Sequence, residues 1–357
     1  MADHPYRDLP DSAYWRRSVA AKGHEVDPIA GDFPQIARGD KVATAGSCFA
    51  QHVARHLAAS GFNYLVTERA HPIIDPAAAR AAGYGLYTAR YGNIYTTLQL
   101  VQLVDRAYGR FAPAEDVWVD PDGKSVVDPF RPTVQPGGYA SEAEMHADRA
   151  QHFSAVREAL ETLDVMIFTL GLTEGWVSTI DGAAFPLCPG VAGGTFDPAA
   201  HQFRNLRMAE VRTQIGEFVE RLRAINPRAR LILTVSPVPL AASASGNHVL
   251  PATIYSKSVL RAAAQEAAED LDGVSYFPSY EIITGPQARG RFFAEDLREV
   301  TEDGVDHVMR VFLRHAAGIE ADVADTPAAT TDDAFTAGVA RWVETMCDEA
   351  MLDGQDA

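Results

Sequence analysis

Short unbroken apolar runs that alternate with helix-period segments constrain this chain more than any other feature. "KVATAG" (41–46), "DVMIFTLG" (164–171), "ARLILTVSP" (229–237) and "VSYFPSY" (274–280) have the length and content of buried strands. "FNYLVTE" (62–68) predicts a further strand. Helical patterns follow or separate them over 49–61, 142–163, 206–227, 256–273 and 301–316. Strands without polar alternation are covered on both faces, and parallel neighbours need crossover helices. The expected fold is therefore α/β, with a parallel sheet between helix layers. Its functional positions should fall at the strand tips Gly46, Gly171 and Ser236.

Around that repeat, residues 1–38 read as an irregular leader broken by Pro5, Pro10, Pro28 and Pro34. Residues 39–320 form the α/β domain, with inserted loops at about 70–150 and 180–204, and 321–357 a linker with a C-terminal helix. "CPGVAGG" (188–194) is expected as a flexible flap, since no strand leads into it as a phosphate loop requires. A formal net charge of −17 disfavours nucleic-acid and anionic-membrane partners. No apolar run is long enough for a membrane span and the N-terminus lacks an apolar signal core, so a cytoplasmic protein is expected. Cys48, Cys188 and Cys347 are odd in number and far apart, which gives neither a disulfide framework nor zinc-ligand spacing; no metal or resident cofactor is expected.

The chemistry gathers where the first strand ends. In "GSCFA" (46–50), Ser47 and Cys48 stand between a strand and a helix, where backbone N–H groups favour negative charge. A thiol at such a place favours the thiolate, and the same donors suit an acyl-transfer oxyanion. The plainer reading is that Ser47 caps the helix and Cys48 packs inside it.

"GSCFA" resembles the signature of the GSCFA family, a group within the SGNH/GDSL hydrolase-like superfamily. "YGNIYTTLQL" (91–100), "DPFRP" (128–132), "LGLTEGW" (170–176), "TVSPVPL" (234–240), "YSKSVLRA" (255–262) and "FFAEDLREV" (292–300) extend the likeness in order over roughly 40–315. The resemblance implies a three-layer, flavodoxin-like α/β/α sandwich and an ester- or acyl-handling site. In register with the Gly-Asp-Ser-Leu block, Cys48 falls on the nucleophilic serine and Ser47 on the aspartate; a one-residue shift makes Ser47 the nucleophile. Thr173 falls on the oxyanion asparagine and Glu174 on the aspartate of the Gly-x-Asn-Asp block, while Asn93 offers a second amide donor.

The likeness breaks at the Asp-x-x-His block, where "EDLREV" keeps Asp296 but has Glu299 in place of histidine. A glutamate replaces that base only if burial raises its pKa. His248, on the loop after the third main strand, is the first substitute; His52, one turn beyond Cys48, is a second, and His56, His71 and His307 read as packing or loop residues. Arg131 and Lys257, the latter at a predicted helix start, suit an anionic substrate group. Two functions stay open. One is an esterase or acyltransferase on a small or carbohydrate-like substrate, with acyl-coenzyme A as a co-substrate. The other is a non-catalytic glycan- or carboxylate-binding module on the same fold.

Overall fold

The computed structural model describes residues 4–119, 123–318 and 348–353. After a short helix α1 (Val19–Lys22), the chain runs through β1 (Val42–Gly46), α2 (Phe49–Ala59), α3 (Pro76–Ala81) and α4 (Thr97–Ala107). A hairpin β2 (Trp118–Val119) and β3 (Val126–Val127) leads to α5 (Glu142–Thr162) and β4 (Val165–Leu170). Next come β5 (Glu174–Ser178), β6 (Ala184–Phe185), β7 (His201–Asn205), α6 (Met208–Ile225) and β8 (Arg230–Val235). The remainder is α7 (Val249–Asp270), β9 (Val274–Phe277), α8 (Ser279–Thr284), α9 (Glu302–Ala317) and a 3-10 turn at Asp348–Asp353.

The central sheet is parallel, in the order β1-β4-β8-β9. Successive strand residues point to opposite faces. Ala43, Ala45, Met166, Phe168, Leu231 and Leu233 therefore meet α4, α5, α6 and α7 through Leu100, Val156, Phe218 and Leu260. Val42, Val165, Ile167 and Ile232 face the other way, onto Phe49 and Leu57 of α2 and Val308 and Phe312 of α9. Two separate cores on the two faces make this a three-layer α/β/α sandwich. Its helix starts are fixed by side chains that accept the first free N–H groups: Thr96 for α4, Ser141 for α5 and Thr301 for α9.

Beside the main sheet, β6-β5-β7 form an antiparallel sheet. The glycine-rich stretch expected as a flap instead packs on the β2–β3 hairpin: a Cβ at Gly193 would lie 3.1 Å from Val127, and one at Gly194 2.8 Å from the Trp118 ring. The expected strand at 62–68 is reduced to a single parallel bridge, Tyr64 to Val42. Of the expected C-terminal linker and helix, only 348–353 lies within the described residues. Among the described residues, no helix is long and apolar enough to cross a membrane.

Register brings Gly46 of β1 opposite Thr169 of β4, and Thr169 opposite Thr234 of β8. Beyond β1 the chain crosses to the Tyr64 side, whereas β4 lies on the other side. The crevice above the β1 and β4 tips is thus the place where chain connections diverge, the usual position of a ligand in an open α/β sheet.

Candidate functional site

Gly46 sets the geometry of this crevice. Its φ is +133°, and a Cβ there would stand 2.3 Å from the Thr169 carbonyl oxygen. Glycine lets the two backbones close up, and the Ser47 N–H donates to Thr169 O at 3.1 Å. The first helical turn is wound from here, with Ala50 N–H donating to Ser47 O (2.9 Å) and Gln51 N–H to Cys48 O (3.0 Å). Gly171, past the tip of β4, has to lack a side chain because a Cβ would come within 2.9 Å of Ser47 Cβ. Ser47 is 3% exposed and Cys48 4%. Ser47 Oγ is buried and has no hydrogen-bond partner among the described residues.

Ile94 N–H donates to Gly46 O at 2.8 Å, which ties the aromatic segment before α4 to this turn. The Tyr87 hydroxyl donates to Asn93 Oδ1 and lies 3.3 Å from Ser47 O. Gln51 Nε2, one turn into α2, donates to the Tyr87 oxygen at 3.1 Å. With Oδ1 taken by the phenol, Asn93 turns Nδ2 outward, and it meets a carboxylate: Asp348 Oδ2 at 2.9 Å. Thr133 Oγ1 donates to the other Asp348 oxygen at 2.8 Å. Sequence reasoning singled out Asn93 but not Gln51, Tyr87, Thr133 or Asp348, which gather around it. Asp348 is 255 positions from Asn93, and no local pattern links them.

Lys257 differs from expectation. It lies in the middle of α7, not at a helix start, because the helix begins at Val249. It is 1% exposed, and its Nζ donates to Gly171 O at 2.7 Å, so it supports the β4 tip from behind. Its neighbour Ser256 accepts from Thr173 N–H at 3.0 Å. The Thr173 hydroxyl proton goes to Asn205 Oδ1 (2.7 Å) and is not offered to an oxyanion. Glu174 accepts from Ser243 Oγ at 2.8 Å; burial raises its pKa, and that hydrogen bond offsets part of the rise.

The expected proton relay is dispersed. His248 is the exposed N-cap of α7, its Nδ1 accepting from Leu250 N–H at 3.1 Å. Exposed Asp296 accepts from the N–H groups of Arg298 and Glu299, each at 3.0 Å, and Glu299 is exposed too. None of the three bonds Ser47 Oγ. Burial, then the Arg55 charge, lowers the pKa of His52 to about 3 and that of His56 to about 4, so both are neutral at pH 7. His307 stacks on Phe292 with ring centroids 5.3 Å apart, and His71 accepts from Ile73 N–H.

Arg131 is not open to a substrate anion. It is 3% exposed and bonds Asp128 at 3.0 Å and Asp148 at 2.9 Å. Packing of α2 on α9 gathers His56, Glu302 and Asp306, whose ligand atoms lie within 4.8 Å of one another, a group invisible to chain spacing. Arg55 already pairs with Glu302 at 2.5 Å, so that carboxylate is neutralised without a metal. Cys188 is part-buried, which raises its pKa, and Cys347 lies outside the described residues.

No curated protein matches the chain. The sequence model of the GSCFA family does, over residues 41–312. That span runs from the first residues before β1 into α9 and includes the Gly46–Cys48 turn, Asn93, Gly171 and Lys257. The chain belongs to the GSCFA family.

Proposed function

We propose that this chain is an SGNH-like acyl-ester enzyme, an esterase or acyltransferase for a small polar or carbohydrate-like substrate, with its nucleophile in the Gly46–Cys48 turn. One observation carries the reading: Asn93 Nδ2, oriented through Tyr87 beside that turn, meets the carboxylate of Asp348. The amide serves the oxyanion of an acyl-transfer intermediate when that oxygen displaces the Asp348 carboxylate from it, since both need the same donor. Cys48 is the preferred nucleophile, since it stands at the N-cap of α2 and sulfur is intrinsically the stronger nucleophile. The sulfur lone pair forms the bond to the acyl carbon while the alkoxide leaves and takes a proton from solvent. Water or an acceptor hydroxyl then displaces the thiolate and gives up its proton to solvent. In a cytoplasmic setting acyl-coenzyme A is a suitable donor, its thiolate leaving in place of the alkoxide.

The deep burial of Ser47 and Cys48 favours a second reading, a glycan- or carboxylate-binding module on the same fold. A fluorogenic short-chain ester and a thiol-trapping reagent, applied to the wild type, Cys48→Ala and Ser47→Ala, separate the two. Loss of turnover in Cys48→Ala alone supports the enzyme with a thiol nucleophile, and loss in Ser47→Ala alone moves the role to the hydroxyl. Neither turnover nor rapid labelling in the wild type sinks the enzymatic reading.

A further inference from the structure

The Asp348 carboxylate is gripped by both of its oxygens. Asn93 Nδ2 donates to Oδ2 at 2.9 Å and Thr133 Oγ1 to Oδ1 at 2.8 Å, one donor for each oxygen. Asn93 is 5% exposed and Asp348 6%, so solvent has little share in this contact. Three separate stretches meet here: the segment before α4, the stretch after β3, and the turn Asp348–Asp353.

The scaffold sets both donors, independently of the carboxylate they hold. The Tyr87 hydroxyl donates to Asn93 Oδ1, which fixes the amide with Nδ2 outward. Thr133 lies inside a turn closed by Val134 N–H on Arg131 O at 3.2 Å. That turn is anchored on both sides: Arg131 bonds Asp128 at 3.0 Å and Asp148 at 2.9 Å, and Arg90 donates to Val134 O at 3.0 Å. The buried ion network therefore reaches the crevice, because it holds the Thr133 hydroxyl in place. Donors arranged in advance bind with little further ordering cost. Both accept a full negative charge shared over two oxygens, and bonds to an ionised acceptor are the stronger kind.

We propose that Asn93 and Thr133 form a carboxylate cradle beside the Gly46–Cys48 turn, with Asp348 as the chain's own occupant and a small carboxylic acid anion as its external ligand. Tied to the chain, Asp348 competes at an effective concentration set by the chain and not by the solution. An external acid enters when the turn Asp348–Asp353 withdraws. For the identity of the ligand this rests on the acyl-ester reading, since ester hydrolysis leaves the carboxylate of the acyl part at the nucleophile turn. The two places adjoin: Ile94 N–H donates to Gly46 O at 2.8 Å, and the Tyr87 hydroxyl lies 3.3 Å from Ser47 O.

Asp348→Ala removes the occupant and leaves both donors. Thermal unfolding of wild type, Asp348→Ala and Asn93→Ala/Asp348→Ala is compared in sodium acetate and sodium chloride at equal ionic strength, and acetate binding is followed by broadening of its NMR line. Acetate, but not chloride, should raise the melting point of Asp348→Ala by several degrees and broaden the acetate line, with neither effect in the wild type or the double variant. No acetate response in Asp348→Ala, an equal response in the double variant, or an equal response in the wild type overturns the proposal. Asp348→Ser replaces Asp348→Ala if the latter does not fold. Ester turnover is read separately: a severalfold higher kcat/KM in Asp348→Ala is expected. Acetate binding without turnover in any of the proteins sinks the acyl-ester reading and leaves the cradle standing.

Discussion

Two buried polar regions of this molecule are built on opposite principles. In the ion network around Arg131, carboxylates are shared: Asp128 bonds both Arg131 and Arg149, and Asp148 both Arg90 and Arg131. At the tips of β1 and β4, by contrast, Ser47 Oγ and Thr169 Oγ1 are buried without a hydrogen bond to any described residue. They stand close together because Gly46 pairs with Thr169. A buried hydroxyl left alone costs about 1–3 kcal/mol, a cost that a bound group bearing a donor or acceptor can recover. The carboxylates of the network are satisfied and serve to join α5 to the segments before and after it. The strand tips hold unmet bonding capacity, which is where binding free energy is available.

The comparison breaks most visibly at Gly46. Alanine there places a Cβ 2.3 Å from Thr169 O on a backbone at φ +133°, and a loss above about 4 kcal/mol is expected. Circular-dichroism melts check it; a native-like melting point for Gly46→Ala would mean that β1 and β4 separate easily and that the close approach is incidental. Next comes Asp128→Ala, which removes the buried carboxylate that Arg131 and Arg149 share, leaving each with one more exposed partner, and should cost about 3–5 kcal/mol in urea unfolding. Burial works against ionisation of Asp128, but Arg131, Arg149 and Arg106 outweigh it and hold the pKa well below the usual 3.8. The unfolded chain therefore takes up this proton first as pH falls. The stability from Asp128 is intact above the ordinary carboxylate range and is lost progressively in stronger acid, an acid sensitivity that Asp128→Asn should reduce.

At the tips, Asn93→Ala should lower kcat for an ester substrate by about 10²–10³ with a smaller change in KM, the usual effect of removing one oxyanion donor. Unchanged kcat would place the Asn93 amide outside the reaction. The smallest effect belongs to Ser47→Ala, which removes an unbonded hydroxyl and should leave unfolding free energy within about 1 kcal/mol of wild type, or raise it. A loss of more than about 2 kcal/mol would show that the hydroxyl is bonded in solution and would erase the contrast between the regions.

Legibility in the sequence followed locality. β4 and β8 were readable because their apolar content is continuous, as central strands require. Residues 62–68 look equally strand-like, yet their edge position leaves one bridge at Tyr64. The first turn of α7 is hard to read from sequence: Pro251 looks like a breaker, although proline is tolerated in the first turn, where its missing N–H has no helical partner. A start at Val249 turns Lys257 from an exposed terminal cation into an interior support for Gly171. The Gly46–Cys48 turn was legible from one pentapeptide. Tyr87, Gln51 and Asp348 were not, because their relation to Asn93 comes from tertiary packing.

The Asn93–Asp348 contact has a practical side. Asp348 lies outside the family-matched span 41–312, yet it sits against the crevice above the first strand. A shortened protein cut to that span loses this carboxylate, and with it a hydrogen-bond partner of Asn93 Nδ2. Assays with and without Asp348 should accordingly be read as assays of two different sites.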